Sequence, residues 1–399
     1  MDYSTSTFEF SCDTEGLIFD LDSLYAHFES LTDSRKRRGL RHPLPVILVA
    51  MMLGKMAGED KPKGIAEWAR LRADLFIHAF DLKRKEMPHH NTYRRILQNV
   101  IELSEFARTV EKFLSSLPEV GTSVHLTMDG KTVRGTIATG ETKGLHLLAI
   151  YIPGSGITLR QVEVDGKTNE IPVGVEVLKS LDLQGKIVTG DALHTQRKTS
   201  QQIVEAGGEY LWVVKENQER LKRDIELLFQ PEVCVSGFSP APKDFRQVQT
   251  INKGHGRIER RTLTLSSLLA EETDWPFLAQ VFKLEREVTT LQGNPIRSEV
   301  VYGVTSLTSD EANPAQVLKL QRRQWAIESE LHYRRDVTLG EDACRCKHYG
   351  MAQVMAILNN LVLALLLRGR QRNAAHVQRY YNAHPDRALH LLSCSPTRL

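Results

Sequence analysis

The sequence predicts an α/β protein: an RNase H-like mixed sheet with flanking helices, an N-terminal all-helical domain and a β-rich insertion. Three observations carry that expectation. Apolar residues recur at helical spacing up to Pro118. After Pro118 the pattern shortens to strand-like runs between turn residues, in the order three strands, helix, strand, helix, strand. Residues 217–297 then break that rhythm with alternating segments divided by glycine.

A chain of 399 residues is too long for one simple core. Residues 1–20 are expected to be a flexible N-terminus. Residues 21–118 read as a helical domain, one that would bind DNA if it holds a helix-turn-helix, with helical spacing in Leu44–Met56, Ile65–Phe80 and Phe106–Leu117. Pro88-His89-His90-Asn91-Thr92 runs as a loop into a cap, and a short helix with Arg94 and Arg95 follows. This fits a helix-turn-helix reader or, equally, a plain bundle with a basic face. Residues 119–216 are the first part of the core. Strands are expected at Ser123–Met128, Leu147–Ile152, Ile157–Val164, Ile187–Thr189 and Tyr210–Lys215, with helices at Ile171–Leu181 and Gln196–Ala206. The insertion, 217–297, holds a hairpin turning at Lys253-Gly254-His255-Gly256 and a strand at Ala279–Leu284. Residues 298–375 return to the core with a strand at Glu299–Thr305, a long helix Pro314–Arg335 and an apolar helix Gln353–Leu367 that should pack on the sheet. Residues 376–399 are read as a tail.

Apolar content of 41% and charged content of 25% are ordinary for a globular protein. The net charge of +3 says less than its distribution. Basic clusters at Arg35–Arg38, Arg257–Arg261, Arg334-Arg335 and Arg368–Arg372 suit phosphate contacts, though solvated surface charge would explain any one of them. The five cysteines form no zinc or redox spacing, and Cys344-Arg345-Cys346-Lys347-His348 lacks a second ligand cluster, so reduced thiols are expected. The N-terminus has no basic region of a signal peptide, and the runs Leu44–Leu53 and Leu361–Leu367 are too short to span a bilayer. A cytoplasmic, nucleoid-associated protein without membrane contact is expected.

Three acidic residues stand out. Asp129 and Asp191 each close an apolar run, and Glu328 sits in a helix. Two strand-end aspartates and a later glutamate suit a two-metal phosphodiester-cleaving site, because hard Mg²⁺ prefers carboxylate oxygen. Each residue alone has a blander reading: an aspartate before glycine is usually a turn residue, and a helical glutamate is usually solvated. Asp165-Gly166-Lys167-Thr168 nearly copies Asp129–Thr132 and reads as a turn into a helix capped by Asn169. Neither copy is a phosphate-binding P-loop, since His125 and Gln161 stand where its first glycine belongs. On α-helical spacing, Gln321, Gln324, His332 and Arg335 share the face of Glu328, with Ile327 and Leu331 turned to the core.

The motifs, taken together and in order, resemble the bacterial H-repeat-associated transposases, a branch of the DDE insertion-sequence transposases. They include Leu40-Arg41-His42, Pro88–Tyr93, Asp129–Gly135, Lys167–Ile171, Gly190–Gln196, Val214–Gln218, Gly254–Arg261, Gln324–Glu328, and Asp336 with Glu341-Asp342. The resemblance covers nearly the whole chain. It implies Mg²⁺-dependent cleavage at element ends and 3′-hydroxyl strand transfer, with Asp129, Asp191 and Glu328 holding two Mg²⁺ ions, Mn²⁺ being a substitute. Arg335 stands in the place of the family's signature lysine, and Gln324 where relatives often carry arginine, a place Arg322 or Arg323 could fill. Lys131, Arg134, Lys215, Asn217, Gln218 and His332 would be further DNA or site contacts, with Lys253, His255 and Arg257 touching DNA from the hairpin tip. The implied partners are double-stranded DNA, as element ends and target, and a second copy of the chain on DNA. Two alternatives stay open: a transposase-derived DNA-binding protein without catalysis, and a nuclease of the same fold that cuts without joining.

Overall fold

The computed structural model describes residues 20–395 apart from 37, 39, 122–123, 166–168, 232–242, 369–370 and 372. The expected loose N-terminus, the Gly166–Thr168 turn, the start of the first strand, Cys12, Cys234 and parts of the first and last basic clusters lie outside the described residues.

The helical region comprises α1 (Leu24–Glu29), α2 (Leu44–Met56), α3 (Pro62–Arg70), α4 (Ala73–Phe80), α5 (His90–Asn99) and α6 (Leu103–Ser115). Helix α2 is apolar and buried on every side, so the others wrap it. Polar side chains close the first turns: Ser23 accepts from the Ala26 amide, and Glu102 accepts from the amides of Ser104 and Glu105. The single helical stretch expected over Ile65–Phe80 is two helices. Their joint is Arg72, whose guanidinium lies over the Trp68 ring at 4.5 Å.

The sheet has nine strands in one order, β3-β2-β1-β4-β5-β9-β8-β7-β6. Its first half is β1 (His125–Val133), β2 (Leu145–Ile152), β3 (Ile157–Glu163), β4 (Ile187–Gly190) and β5 (Glu209–Val214), with α7 (Glu170–Lys179) and α8 (Arg197–Glu205) as crossovers. Strands β1, β4 and β5 are parallel; β2 and β3 return antiparallel. This is the expected RNase H-like mixed sheet. After α9 (Glu219–Leu228), the β-rich stretch supplies β6 (Arg246–Gly254), β7 (Arg257–Ser266) and β8 (Gln280–Thr290). These join the same sheet through β9 (Pro295–Thr305), which pairs with β5. The insertion therefore extends one edge of the sheet. Its hairpin turns on His255 and Gly256, both at positive φ (51° and 73°), the signature of a two-residue turn matched to strand twist.

The apolar helix is α11 (Tyr349–Leu366), which packs on β3, α6 and α2 and joins the helical region and the sheet in one core. At 18 residues it is long and apolar enough to cross a membrane, longer than the run read from sequence, yet 83% of it is buried inside the molecule, as in a core helix. A second, smaller core lies between β7, β8 and α10 (Pro314–Gln324). The stretch expected as a tail contains two helices, α12 (Ala374–Ala383) and α13 (Pro385–Ser393), packed on α2.

The long helix expected over Pro314–Arg335 departs from regular α geometry. Helix α10 ends at Gln324, and the rod continues as π-helical turns over Ile327–His332 and Arg334–Thr338. Wider π turns change which residues share a face. Glu328 is exposed, whereas Gln321, Gln324 and Arg335 are buried, so the residues expected to share one face differ in environment.

Candidate active site

Asp129 and Asp191 are brought together by strand register. In the parallel pairing of β1 with β4, Met128 stands opposite Gly190, and each aspartate follows its partner by one residue. Neighbouring strands lie about 4.8 Å apart, so the two backbones present carboxylates side by side. Only β4 ends there. Asp129 is mid-strand, because β1 runs on to Val133 through its pairing with β2. The expectation that both aspartates end strands is corrected on that point.

Beyond β4 the chain turns at once. The Asp191 carboxylate accepts from the Leu193 amide at 2.9 Å and caps the short turn Ala192–His194. Asn217 donates to the Ala192 carbonyl at 2.6 Å, and Gln218 to the Thr195 carbonyl at 3.0 Å. Both side chains thus staple the Asp191 turn from behind, while Asp191 itself is 58% exposed.

The rod after α10 crosses the same strand ends. Gln324 donates to the carbonyl of Gly190 at 2.5 Å, and His332 Nε2 lies 3.2 Å from Asp129 Oδ2. Glu328 stands between these two anchors. Glu330 holds the rod to the β2–β3 turn, accepting from Tyr151 Oη at 3.0 Å and the Gly154 amide at 2.7 Å; Arg323 donates to the Pro153 carbonyl beside it. Among the described residues, no three His, Cys, Asp or Glu side chains are gathered closely enough to hold a metal ion. The two aspartates are neighbours, and Glu328 faces solvent nearby without joining them in a closed cluster.

The other expected residues divide by environment. Arg94 and Arg95 project from α5, whose Tyr93, Ile96 and Leu97 are buried. Arg134 is 81% exposed, Lys215 and Arg322 are exposed, and Lys253, His255 and Arg257 crowd the hairpin tip. Lys131 and Arg335 are turned inward, which corrects the expectation of direct DNA contacts for them. Lys131 Nζ lies 2.5 Å from Asp336, 3.3 Å from Asp342 and 3.6 Å from Glu341. Arg335 is fully buried, with forked bonds of 2.8–3.0 Å to Glu341 and one of 2.7 Å to Gln161. Buried cations need such partners, and these carboxylates supply them.

One group by the site joins residues that lie far apart in the chain. Thr132 Oγ1 meets His146 Nδ1 at 2.9 Å, and His146 Nε2 meets Glu170 Oε1 at 2.8 Å. His194 Nε2 lies 3.3 Å from the other Glu170 oxygen, within ion-pair distance but off hydrogen-bond geometry. Burial pushes the Glu170 carboxyl up, but its contacts with the two histidines outweigh this and bring it down to about 2. The carboxylate sits so close over Gly130 that a Cβ there would fall 2.4 Å from Glu170 Oε1, which explains glycine after Asp129. The motifs Lys167–Ile171 and Gly190–Gln196 contain Glu170 and His194, but nothing in the sequence joins them to each other or to His146 on β2.

The donor chemistry fits a hard divalent cation. Asp129, Asp191 and Glu328 meet no lysine or arginine among the described residues, unlike the carboxylates around Lys131 and Arg335. Oxygen donors left open to solvent in this way suit Mg²⁺ or Mn²⁺.

Comparison with known proteins agrees with the fold. Residues 25–114 match the family model described as DDE_Tnp_1-associated, and residues 121–366 match the one described as Transposase DDE domain. YncI of Escherichia coli O157:H7, named by inference as a transposase, is 28% identical over 87% of this chain and 87% of its own length. YhhI of Escherichia coli K12, named by inference as an H repeat-associated transposase, is 24% identical over 90% of this chain and 97% of its own. A cryo-EM structure of the piggyBac transposase synaptic complex with hairpin DNA is 13% identical and covers 94% of this chain and 78% of that one. The TM-score of that match is 0.41. Since the catalytic-domain model spans more than half of the chain, the protein belongs to the DDE transposase family, enzymes of the polynucleotidyl-transferase type.

Proposed function

We propose that this chain cuts DNA at the ends of a mobile element and joins the freed 3′-hydroxyl to target DNA, with Asp129, Asp191 and Glu328 as its acidic ligand set. The observation that carries this reading is the register of β1 and β4, which sets the two aspartates side by side under a helical rod bearing the glutamate. DDE transposases work with divalent metal ions; bound here, two Mg²⁺ or Mn²⁺ ions would supply an activated oxygen nucleophile and a clamp on the leaving oxygen.

The remaining work falls to the chain's own groups. His332 orients the Asp129 carboxylate. Asn217 and Gln218 hold the Asp191 turn in place. The exposed cations Arg134, Lys215 and Arg322 bind phosphate near the strand ends. The hairpin tip, with Lys253, His255 and Arg257, reaches outward to DNA. Two element ends must be joined, so the working unit on DNA is a dimer or larger, at the nucleoid.

Purified full-length protein, Mg²⁺ and a plasmid carrying the DNA segments on either side of the gene test this. Joined products support the reading. DNA bound but left intact points to a binding protein, and DNA cut but unjoined to a nuclease; either overturns it.

A further inference from the structure

A second basic feature lies away from the carboxylates. A groove of about 770 Å³ runs between the N-terminal helices and the loop before α11. One wall carries Lys63 from α3 and His90 and Arg94 from α5; the other carries Arg345, Lys347 and His348. No aspartate or glutamate lines it among the described residues. Lys63, Arg94, Arg345 and Lys347 are exposed and have no ion-pair partner among the described residues. The local field is felt by His90, whose pKa is lowered by desolvation first and then by the charges of His89, Lys63 and Arg94.

The second wall is built, not loose. Cys344 is half-buried and Cys346 buried, while Arg345 and Lys347 between and after them point out. The alternation of small thiols inward and long cations outward accounts for the Cys-Arg-Cys-Lys run without any metal. Asp342 accepts from the Arg134 amide at 3.0 Å and so ties the loop to the end of β1. The Cys344 carbonyl packs where a Cβ on Gly135 would fall 2.4 Å away, so that glycine admits the loop. The groove wall and the strand carrying Asp129 are thus mechanically continuous.

We infer that this groove holds the phosphate backbone of duplex DNA, with Lys63, Arg94, Arg345 and Lys347 as its contacts. The inference rests on the reading of the chain as a DNA-processing enzyme and adds a second contact surface to it. Unpaired cations facing each other across a groove attract a polyanion. Among the described residues no phenylalanine, tyrosine or tryptophan lines the groove, the side chains on which single strands most often stack.

The test measures binding of full-length protein to a short fluorescein-labelled duplex of arbitrary sequence, by anisotropy across a salt series. Each lost phosphate contact lowers the slope of log affinity on log salt by about 0.9. The variant K63Q/R345Q/K347Q is expected to bind at least about tenfold more weakly, with a slope smaller by about 2–3. The charge-retaining K63R/R345K/K347R keeps the wild-type slope, and so does K112Q/K143Q/K179Q, which removes exposed lysines elsewhere. If the glutamine variant binds with wild-type affinity and slope, the groove is overturned while DNA binding stands. If the wild type binds no duplex, the groove and the enzymatic reading both fall. A preference for single-stranded RNA over the duplex also overturns the proposal.

Discussion

His332 Nε2 lies 3.2 Å from Asp129 Oδ2, although 203 positions separate them in the chain. This contact fastens the rod that carries Glu328 to the strand that carries Asp129. Among the described residues the histidine's other ring nitrogen is buried without a hydrogen-bond partner, and the ring's polar attachment is to the aspartate. Groups that orient a ligand carboxylate typically cost about 10–100-fold in metal affinity or activity when removed. His332→Ala should lower DNA cleavage by about that factor, with partial recovery at raised Mg²⁺ or Mn²⁺. Unchanged rates at limiting Mg²⁺ would remove His332 from the site.

Asp129→Asn, Asp191→Asn and Glu328→Gln should each reduce cleavage of plasmid DNA at least about a hundredfold, because each removes a hard oxygen ligand. Asp191 and Glu328 face solvent, Asp129 is partly exposed, and none pairs with a lysine or arginine among the described residues, so folding should barely respond, with changes within about 0.5 kcal/mol. Nicking rates and thermal midpoints read the two effects separately. A variant that cuts at the wild-type rate would exclude its residue from the trio.

The two arginines near the end of β1 should behave in opposite ways. Arg335 is fully buried on Glu341, and its removal strips that buried carboxylate of its forked partner, leaving only Asn359 and the more distant Lys131 among the described residues. Arg335→Ala should destabilise the fold by about 3–5 kcal/mol. Arg134 is 81% exposed, and Arg134→Ala should change stability by no more than about 0.5 kcal/mol while weakening DNA binding. Chemical denaturation alongside a DNA-binding titration checks both.

Glu170 sets a pH dependence. Its carboxyl is held at about 2 against an ordinary 4.5: burial opposes the ionised form, and the His146 bond and the close His194 ring outweigh burial. A carboxyl depressed by folding contributes stability that is complete above its unfolded value and is lost as pH falls toward the folded one. The thermal midpoint should therefore fall as pH drops from 4.5 toward 2, and Glu170→Gln should flatten that part of the profile. Identical profiles for the variant and the wild type would show that the carboxylate does not carry this dependence.

The order of strands and helices was legible from local pattern, since period and turn chemistry act over a few residues. The His255-Gly256 turn and the buried spans of α2 and α11 were legible for the same reason. Asp129, Asp191 and Glu328 stood out because each interrupts an apolar or amphipathic run with a carboxylate. What the sequence could not show depends on partners far along the chain. Lys131 and Arg335 read as DNA contacts until Asp336, Glu341 and Asp342 folded over them. The face expected around Glu328 assumed α spacing, and the structure has π turns there, with Arg335 buried on Glu341. Glu170 acquired its meaning when β2 and the turn after β4 delivered His146 and His194 to it. Local chemistry wrote the elements and the acidic residues into the sequence. Strand register, helix pitch and the pairing of buried charges belong to the three-dimensional arrangement, because each is an energy shared between distant segments.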